Sequence, residues 1–276
     1  MTRSTGERPG SDKHPIVQMF ALGLVLSAIG VAIALAIDWF PPAATAKAQD
    51  IDTLYDWTLI VSVPIFILVM TVAIYSVVRF RARPGDMSDG APIHGNARLE
   101  VIWVLVPFII VSVLAAYAWI VLDDIEAKQP NEMRVDAIGQ QFAWSFKYPE
   151  AGNFTAKELV LPVDRPVHFY ITTKDVIHSF WVPAFRLKYD AVPGLTTKLH
   201  VTPDRIGRYD VVCAELCGLG HSTMRQTARV VSQQDFDAWK ARNQSAAKGA
   251  ASASGAGTIP PNSDTLASAG GGGNTR

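Results

Sequence analysis

Three stretches of the chain, residues 16–37, 57–78 and 101–122, contain no charged side chain. Each reaches the roughly 20 apolar residues that an α-helix needs to cross the hydrocarbon core of a bilayer. After residue 124 the pattern becomes that of an ordinary water-soluble sequence. Between the second and third runs lies Arg79-Phe80-Arg81-Ala82-Arg83-Pro84-Gly85. The proline ends a helix, and the arginines sit just beyond the lipid, which by the positive-inside rule makes this loop cytoplasmic. The flanking runs then form a helical hairpin, and residues from 123 onward lie outside the cytoplasm. The first run, polar only at Gln18 and Ser27, has two readings. By length it is a third membrane helix; alternatively it is a signal peptide, because Ala44-Thr45-Ala46-Lys47-Ala48 offers small-residue cleavage sites behind it.

The soluble part shows short β-type runs at 134–138, 166–172, 197–201, 208–212 and 227–231, punctuated by Pro and Gly. That spacing predicts an all-β sandwich or Greek-key barrel. A short helix follows over 233–242, with Phe236 and Trp239 three apart on one face. Residues 245–276 are rich in Ala, Gly and Ser, too poor in large apolar groups to offset their ordering entropy, and are expected to be disordered. The chain thus divides into an N-terminal segment (1–54), a membrane hairpin (55–123), an extracytoplasmic β domain (124–244) and a tail (245–276).

Composition agrees with two solvents. Hydrophobic residues make up 49% of the 276, high for a soluble protein and low for one wholly in lipid. The 25 basic residues balance 25 acidic ones, which argues against a nucleic-acid partner, since counterion release needs a basic face. Two cysteines exclude a disulfide-stapled scaffold and a CxxCH haem attachment.

Both cysteines fall in one window, Cys213-Ala-Glu215-Leu-Cys217-Gly-Leu-Gly-His221-Ser-Thr-Met224, directly after a predicted strand. A loop of this kind can fold back so that thiolate, imidazole and thioether converge on one metal. With a distant histidine they make the donor set of a copper electron-transfer site. His178, in Asp175-Val-Ile-His178-Ser-Phe-Trp-Val-Pro183, is the upstream candidate. Two thiolates can also bridge a pair of copper ions, spreading one electron over both. A local Cys213–Cys217 disulfide and a Cys2His2 zinc site remain alternatives, although zinc leaves Met224 without a role. His14, His94, His168 and His200 carry no such neighbours and are read as ordinary core or surface histidines.

Taken together, the His178–Pro183 segment, the cysteine loop and the preceding hairpin resemble subunit II of haem-copper cytochrome c oxidases over residues 50 to 240. The resemblance implies a cupredoxin-like barrel holding a binuclear copper centre, CuA. Cys213 and Cys217 would bridge two copper ions, His178 and His221 would each ligate one, and Met224 and the Glu215 carbonyl would be weak ligands. The Glu215 carboxylate would bind a Mg2+ shared with subunit I, as its hard oxygen suits. In Glu100-Val-Ile-Trp103, at the cytoplasmic edge of the third run, the glutamate would stand at the mouth of a proton pathway.

Two departures from the family pattern stand out. Phe142 occupies the place of a tryptophan associated with electron entry, while Trp144, two residues on, is expected to share its face and serve the core or the same route. Asp175 fits an acidic docking surface for cytochrome c, yet Lys174 beside it carries the opposite sign. Asp190 falls in a segment that faces subunit I in the family. The implied function is the electron-entry subunit of a proton-pumping terminal oxidase in the plasma membrane, an oxidoreductase active only in complex with subunit I, and with subunit III as a further partner. A copper-free quinol oxidase subunit, the CuA domain of a different reductase and a copper-delivery protein are the competing readings.

Overall fold

The computed structural model describes residues 15–255 apart from residues 83, 86, 88–91 and 93. His14, Arg83 and residues 256–276 of the expected tail lie outside the described residues.

Each apolar run is a helix: α1 (Pro15–Ala36), α2 (Ala48–Arg79) and α3 (Ala97–Glu126). All three are long and apolar enough to cross a membrane. α2 and α3 exceed the charge-free runs for a simple reason of length. A 32-residue helix rises about 48 Å, more than the ~30 Å hydrocarbon core. The first turns of α2, carrying Asp50, Asp52 and Asp56, and the last of α3, carrying Asp123 and Asp124, therefore have polar surroundings to meet. Asp52 takes both guanidinium contacts of Arg186, at 2.6 and 3.0 Å. That guanidinium also lies 4.7 Å from the centre of the Phe40 ring. Asp124 pairs with Lys47.

α1 packs along α2, where Gly30 permits the approach: a Cβ there would come within 2.5 Å of Ile67. The connection after it is built into the β domain. Ala44 N–H donates to the carbonyl of Ala184 at 2.9 Å, Thr45 bridges to Pro203, and Ala44 and Ala48 are fully buried.

The β domain is a sandwich of two five-stranded sheets. Its strands are β1 (Met133–Gln140), β2 (Ala143–Tyr148), β3 (Phe154–Ala156), β4 (Leu159–Pro162), β5 (Val167–Thr173), β6 (His178–Val182), β7 (Leu187–Ala191), β8 (Thr197–Val201), β9 (Gly207–Cys213) and β10 (Arg225–Val231). One sheet runs β3-β2-β1-β5-β8, the other β4-β10-β9-β6-β7. β1–β5 and β4–β10 are parallel, and the other pairs antiparallel. The five runs expected from sequence all fall on strands, Pro166 alone preceding its strand, β5. Of those the pattern missed, β4 is buried at every position and β6 at all but one, so neither alternates.

Between the sheets, Trp144, Phe146 and Tyr148 alternate inward from β2 and meet Phe169 and Phe180 in a continuous core. α4 (Gln233–Gly255) closes one end by packing Phe236 and Trp239 against Tyr148 and Phe154. Ser232 starts it, its hydroxyl accepting from Asp235 N–H at 3.1 Å. This helix extends past residue 242, so residues 245–255 of the expected tail are helical, in line with the high helix propensity of their alanines.

Candidate metal centre

Strand register builds the site. β6 runs antiparallel to β9 with Phe180 opposite Cys213, which brings His178 beside the loop that leaves β9. β10 returns antiparallel to β9 with Arg225 opposite Val212, so Met224 comes back next to Cys213, whose N–H donates to the Met224 carbonyl at 3.2 Å. A loop closed between two paired strands has little freedom, and its side chains are gathered before any metal arrives.

The donor atoms converge. His178 Nδ1 lies 3.8 Å from Cys213 Sγ, and Cys213 Sγ 3.9 Å from Cys217 Sγ. Cys217 Sγ in turn is 3.7 Å from His221 Nδ1 and 3.8 Å from Met224 Sδ. The Glu215 carbonyl oxygen lies 3.3 Å from Cys213 Sγ. Metal–sulfur bonds of about 2.3 Å in a tetrahedral site hold neighbouring sulfurs about 3.8 Å apart, so these spacings fit a metal between the donors without rearrangement. Both thiols are free, and both are buried. Burial, reinforced by Cys213, pushes the Cys217 thiol up to about 11.

His178 is fully buried and held from behind: its Nε2 is 2.8 Å from Asp175 Oδ1, which leaves Nδ1 facing the thiols. Burial raises the Asp175 pKa, but hydrogen bonds from Gln141 N–H, His178, Val176 N–H and the Thr173 hydroxyl outweigh it and hold the carboxyl well below the usual carboxylate range. Asp175, expected at a docking surface, is partly exposed, with Oδ1 on the buried imidazole of His178 and Oδ2 accepting from Gln141 N–H at 2.7 Å. Lys174 beside it donates to Gln140 Oε1 at 3.4 Å.

Phe142 and Trp144 do not share a face. Phe142 lies in the turn between β1 and β2, partly exposed, across the backbone of Gly218 and Gly220; a Cβ on Gly220 would meet its ring at 2.5 Å. Trp144 is buried in the core, its ring 5.9 Å edge-on from His178. The turn between them breaks the alternation that the sequence suggests. Glu215 and Asp190 have exposed side chains.

Glu100 sits at the far end of α3 from the β domain. There the Asn96 side chain accepts from the N–H groups of Arg98 and Leu99, and Glu100 Oε1 accepts from Asn96 N–H at 3.2 Å, a reciprocal cap.

Two positioning residues escaped the sequence reading. Gln141 donates from Nε2 to the Cys217 carbonyl at 2.6 Å, tying the β1–β2 turn to the cysteine loop. At Gly139 a Cβ would lie 3.0 Å from His178 and 3.2 Å from Trp144. An isolated glycine in a strand is the sequence signal of such a close approach; Gln141 has none.

Comparison with known proteins places this arrangement in context. The family model of the cytochrome c oxidase subunit II transmembrane domain matches residues 31–121, and that of its periplasmic domain residues 154–231. Cytochrome c oxidase subunit 2 of Synechocystis sp. is 32% identical over 269 residues, covering 78% of this chain and 81% of that protein. The protein of the same name from Thermostichus vulcanus is 32% identical, covering 79% and 84%. Among solved structures, the periplasmic domain of cytochrome oxidase subunit II from Bradyrhizobium japonicum is 30% identical, with a TM-score of 0.41 over 43% of this chain and 96% of that one.

Proposed function

Because this chain belongs to the cytochrome c oxidase subunit II family, we propose that it is the electron-entry subunit of a proton-pumping haem-copper oxidase, receiving electrons from cytochrome c at a binuclear copper centre and passing them to haem in subunit I. The observation that carries this reading is the convergence of His178, Cys213, the Glu215 carbonyl, Cys217, His221 and Met224 in one loop-and-strand cluster. A pair of copper ions held there would supply a site that takes up and releases one electron at a time.

The chain's own residues do the rest. Cys213 and Cys217, both free and buried at the centre of the cluster, would hold the copper ions through their sulfurs as thiolates. Asp175 keeps His178 Nδ1 turned to the sulfurs. Gln141 and Phe142 cover the loop, and around it Val176, Ile177, Leu216 and Leu219 are exposed. Apolar exposure on this scale suits docking of partner surfaces, with subunit I, subunit III and the donor as the partners. The exposed Glu215 carboxylate is available to a Mg2+ shared with subunit I. The arginines after α2 orient the molecule so that the β domain lies outside the plasma membrane. Burial of Ala44 and Ala48 and the packing of Gly30 on α2 support retention of the first run as a helix.

Loading the full chain with copper and recording optical and electron paramagnetic resonance spectra tests the reading. A mixed-valence signal from two coppers sharing one electron is expected, with its loss in Cys213→Ser; a single blue-copper spectrum overturns it. For Glu100 a proton-pathway role predicts slower oxygen-consuming turnover of the assembled oxidase in Glu100→Gln with an unchanged copper spectrum. The amide oxygen keeps the cap on α3, so unchanged turnover counts against the proton role rather than against folding.

A further inference from the structure

The outer face of the β domain carries a second convergence of ligand groups. His168 on β5 and His200 on β8 are direct cross-strand partners, and their rings stack with centroids 4.1 Å apart. Glu132, at the residue before β1, reaches across them. Its Oε1 accepts from Gln129 N–H at 2.7 Å and lies 2.7 Å from His200 Nδ1. Its Oε2 lies 3.5 Å from His168 Nδ1 without forming a hydrogen bond. One donor atom from each of the three residues falls within 4.8 Å of the other two.

The cluster is covered although it lies outside the core: the Glu132 side chain is 5% exposed and those of His168 and His200 14% and 16%. A surface salt bridge would not look like this. Glu132 Oε2 and His168 Nε2 are buried without partners, and buried polar atoms without partners are rare enough to require a reason. Tetrahedral metal–ligand bonds of about 2.0–2.2 Å hold nitrogen and oxygen donors about 3.3 Å apart, between the two carboxylate–imidazole distances seen here. Burial and then His200 lower the His168 pKa against the pull of Glu132. Lys128 and Lys198 act in the same direction on His168. Beside the cluster a cavity of about 260 Å³, lined by Lys47, Asp124, Gln129, Glu132 and His200, gives a route in and room for a water ligand.

We infer that Glu132, His168 and His200 form a second metal site, separate from the cysteine loop, that binds a borderline divalent cation of the Zn2+ type where α3 meets the β domain. Two imidazoles and one carboxylate with an open position are a donor set for such ions. Bound there, the ion links the start of β1 to β5 and β8.

Zinc titration of the full chain in detergent, with Cys213→Ser and Cys217→Ser removing the soft donors, tests the site apart from the copper reading. One tightly bound equivalent is expected, with a nitrogen and oxygen shell and no sulfur by X-ray absorption, and its loss in Glu132→Gln and in His168→Gln with His200→Gln. Absence of the equivalent, or its persistence in those variants, overturns the site while leaving the cysteine loop untouched. Should the cysteine-free chain fail to fold by circular dichroism, the parent chain carrying copper gives the second measurement. There zinc should bind without releasing copper and raise the melting temperature, and an unchanged melting temperature with no bound zinc overturns the site equally.

Discussion

His178 shows how much one ligand depends on the groups behind it. Buried without solvent, its ring has two faces to satisfy: Asp175 at Nε2 and the Cys213 sulfur toward Nδ1. Gly139 supplies the space, since any larger residue would press on the ring and on Trp144. Replacing a group that orients a metal-bound histidine costs roughly 10–100-fold in metal affinity. Asp175→Asn is accordingly expected to weaken copper binding by at least about 10-fold, read by competition with a chelator of known affinity, while the β-rich circular dichroism spectrum stays as it was. An effect confined to the rate of electron uptake, with copper affinity unchanged, would instead return Asp175 to a docking role.

Among the elements, β2 ties the two sheets together. Tyr148 on β2 donates its hydroxyl hydrogen to the Val160 carbonyl on β4 at 3.0 Å and accepts from Val160 N–H at 2.8 Å. Tyr148→Phe removes both and leaves a buried N–H and C=O unpaired, a loss of about 1–3 kcal/mol. Burial raises this phenol above its ordinary value. The unfolded chain then releases the proton near pH 10 while the folded one keeps it, so the stabilising contribution is fully present below that pH and is lost as pH rises above it. Thermal unfolding of the chain should therefore show a stability loss above about pH 10, shallower in Tyr148→Phe. The same strand explains a misreading: Trp144 and Phe142 are two apart, but β2 begins at Ala143, so the period that orients Trp144 does not extend back to Phe142.

On the scale of the whole molecule, the β domain is joined to the membrane helices by more than chain connection. Arg186, held in a left-handed conformation at φ 64° after a 3-10 turn, reaches Asp52 on α2 and covers Phe40. Its side chain is almost fully buried, so the pair is screened little by salt. Arg186→Ala should cost about 2 kcal/mol at this junction and be seen as faster hydrogen exchange around residues 41–52 and 183–186, with the copper spectrum retained. Exchange unchanged at both segments would show that the buried Ala44 and Thr45 hold the junction alone.

The membrane hairpin and the cluster of Cys, His and Met side chains were legible in the chain because both rest on local rules. Hydrocarbon thickness sets the length of an apolar run, and the short loop between paired strands β9 and β10 keeps Cys217, His221 and Met224 close to Cys213 at the end of β9. Strand register decided what lay beyond that reach. It set His168 opposite His200 and brought Glu132 onto them, three residues that read singly as unremarkable. Such contacts join positions separated by 32 or more residues, where no local period carries information and only the packing of one sheet against its neighbours fixes which side chains meet.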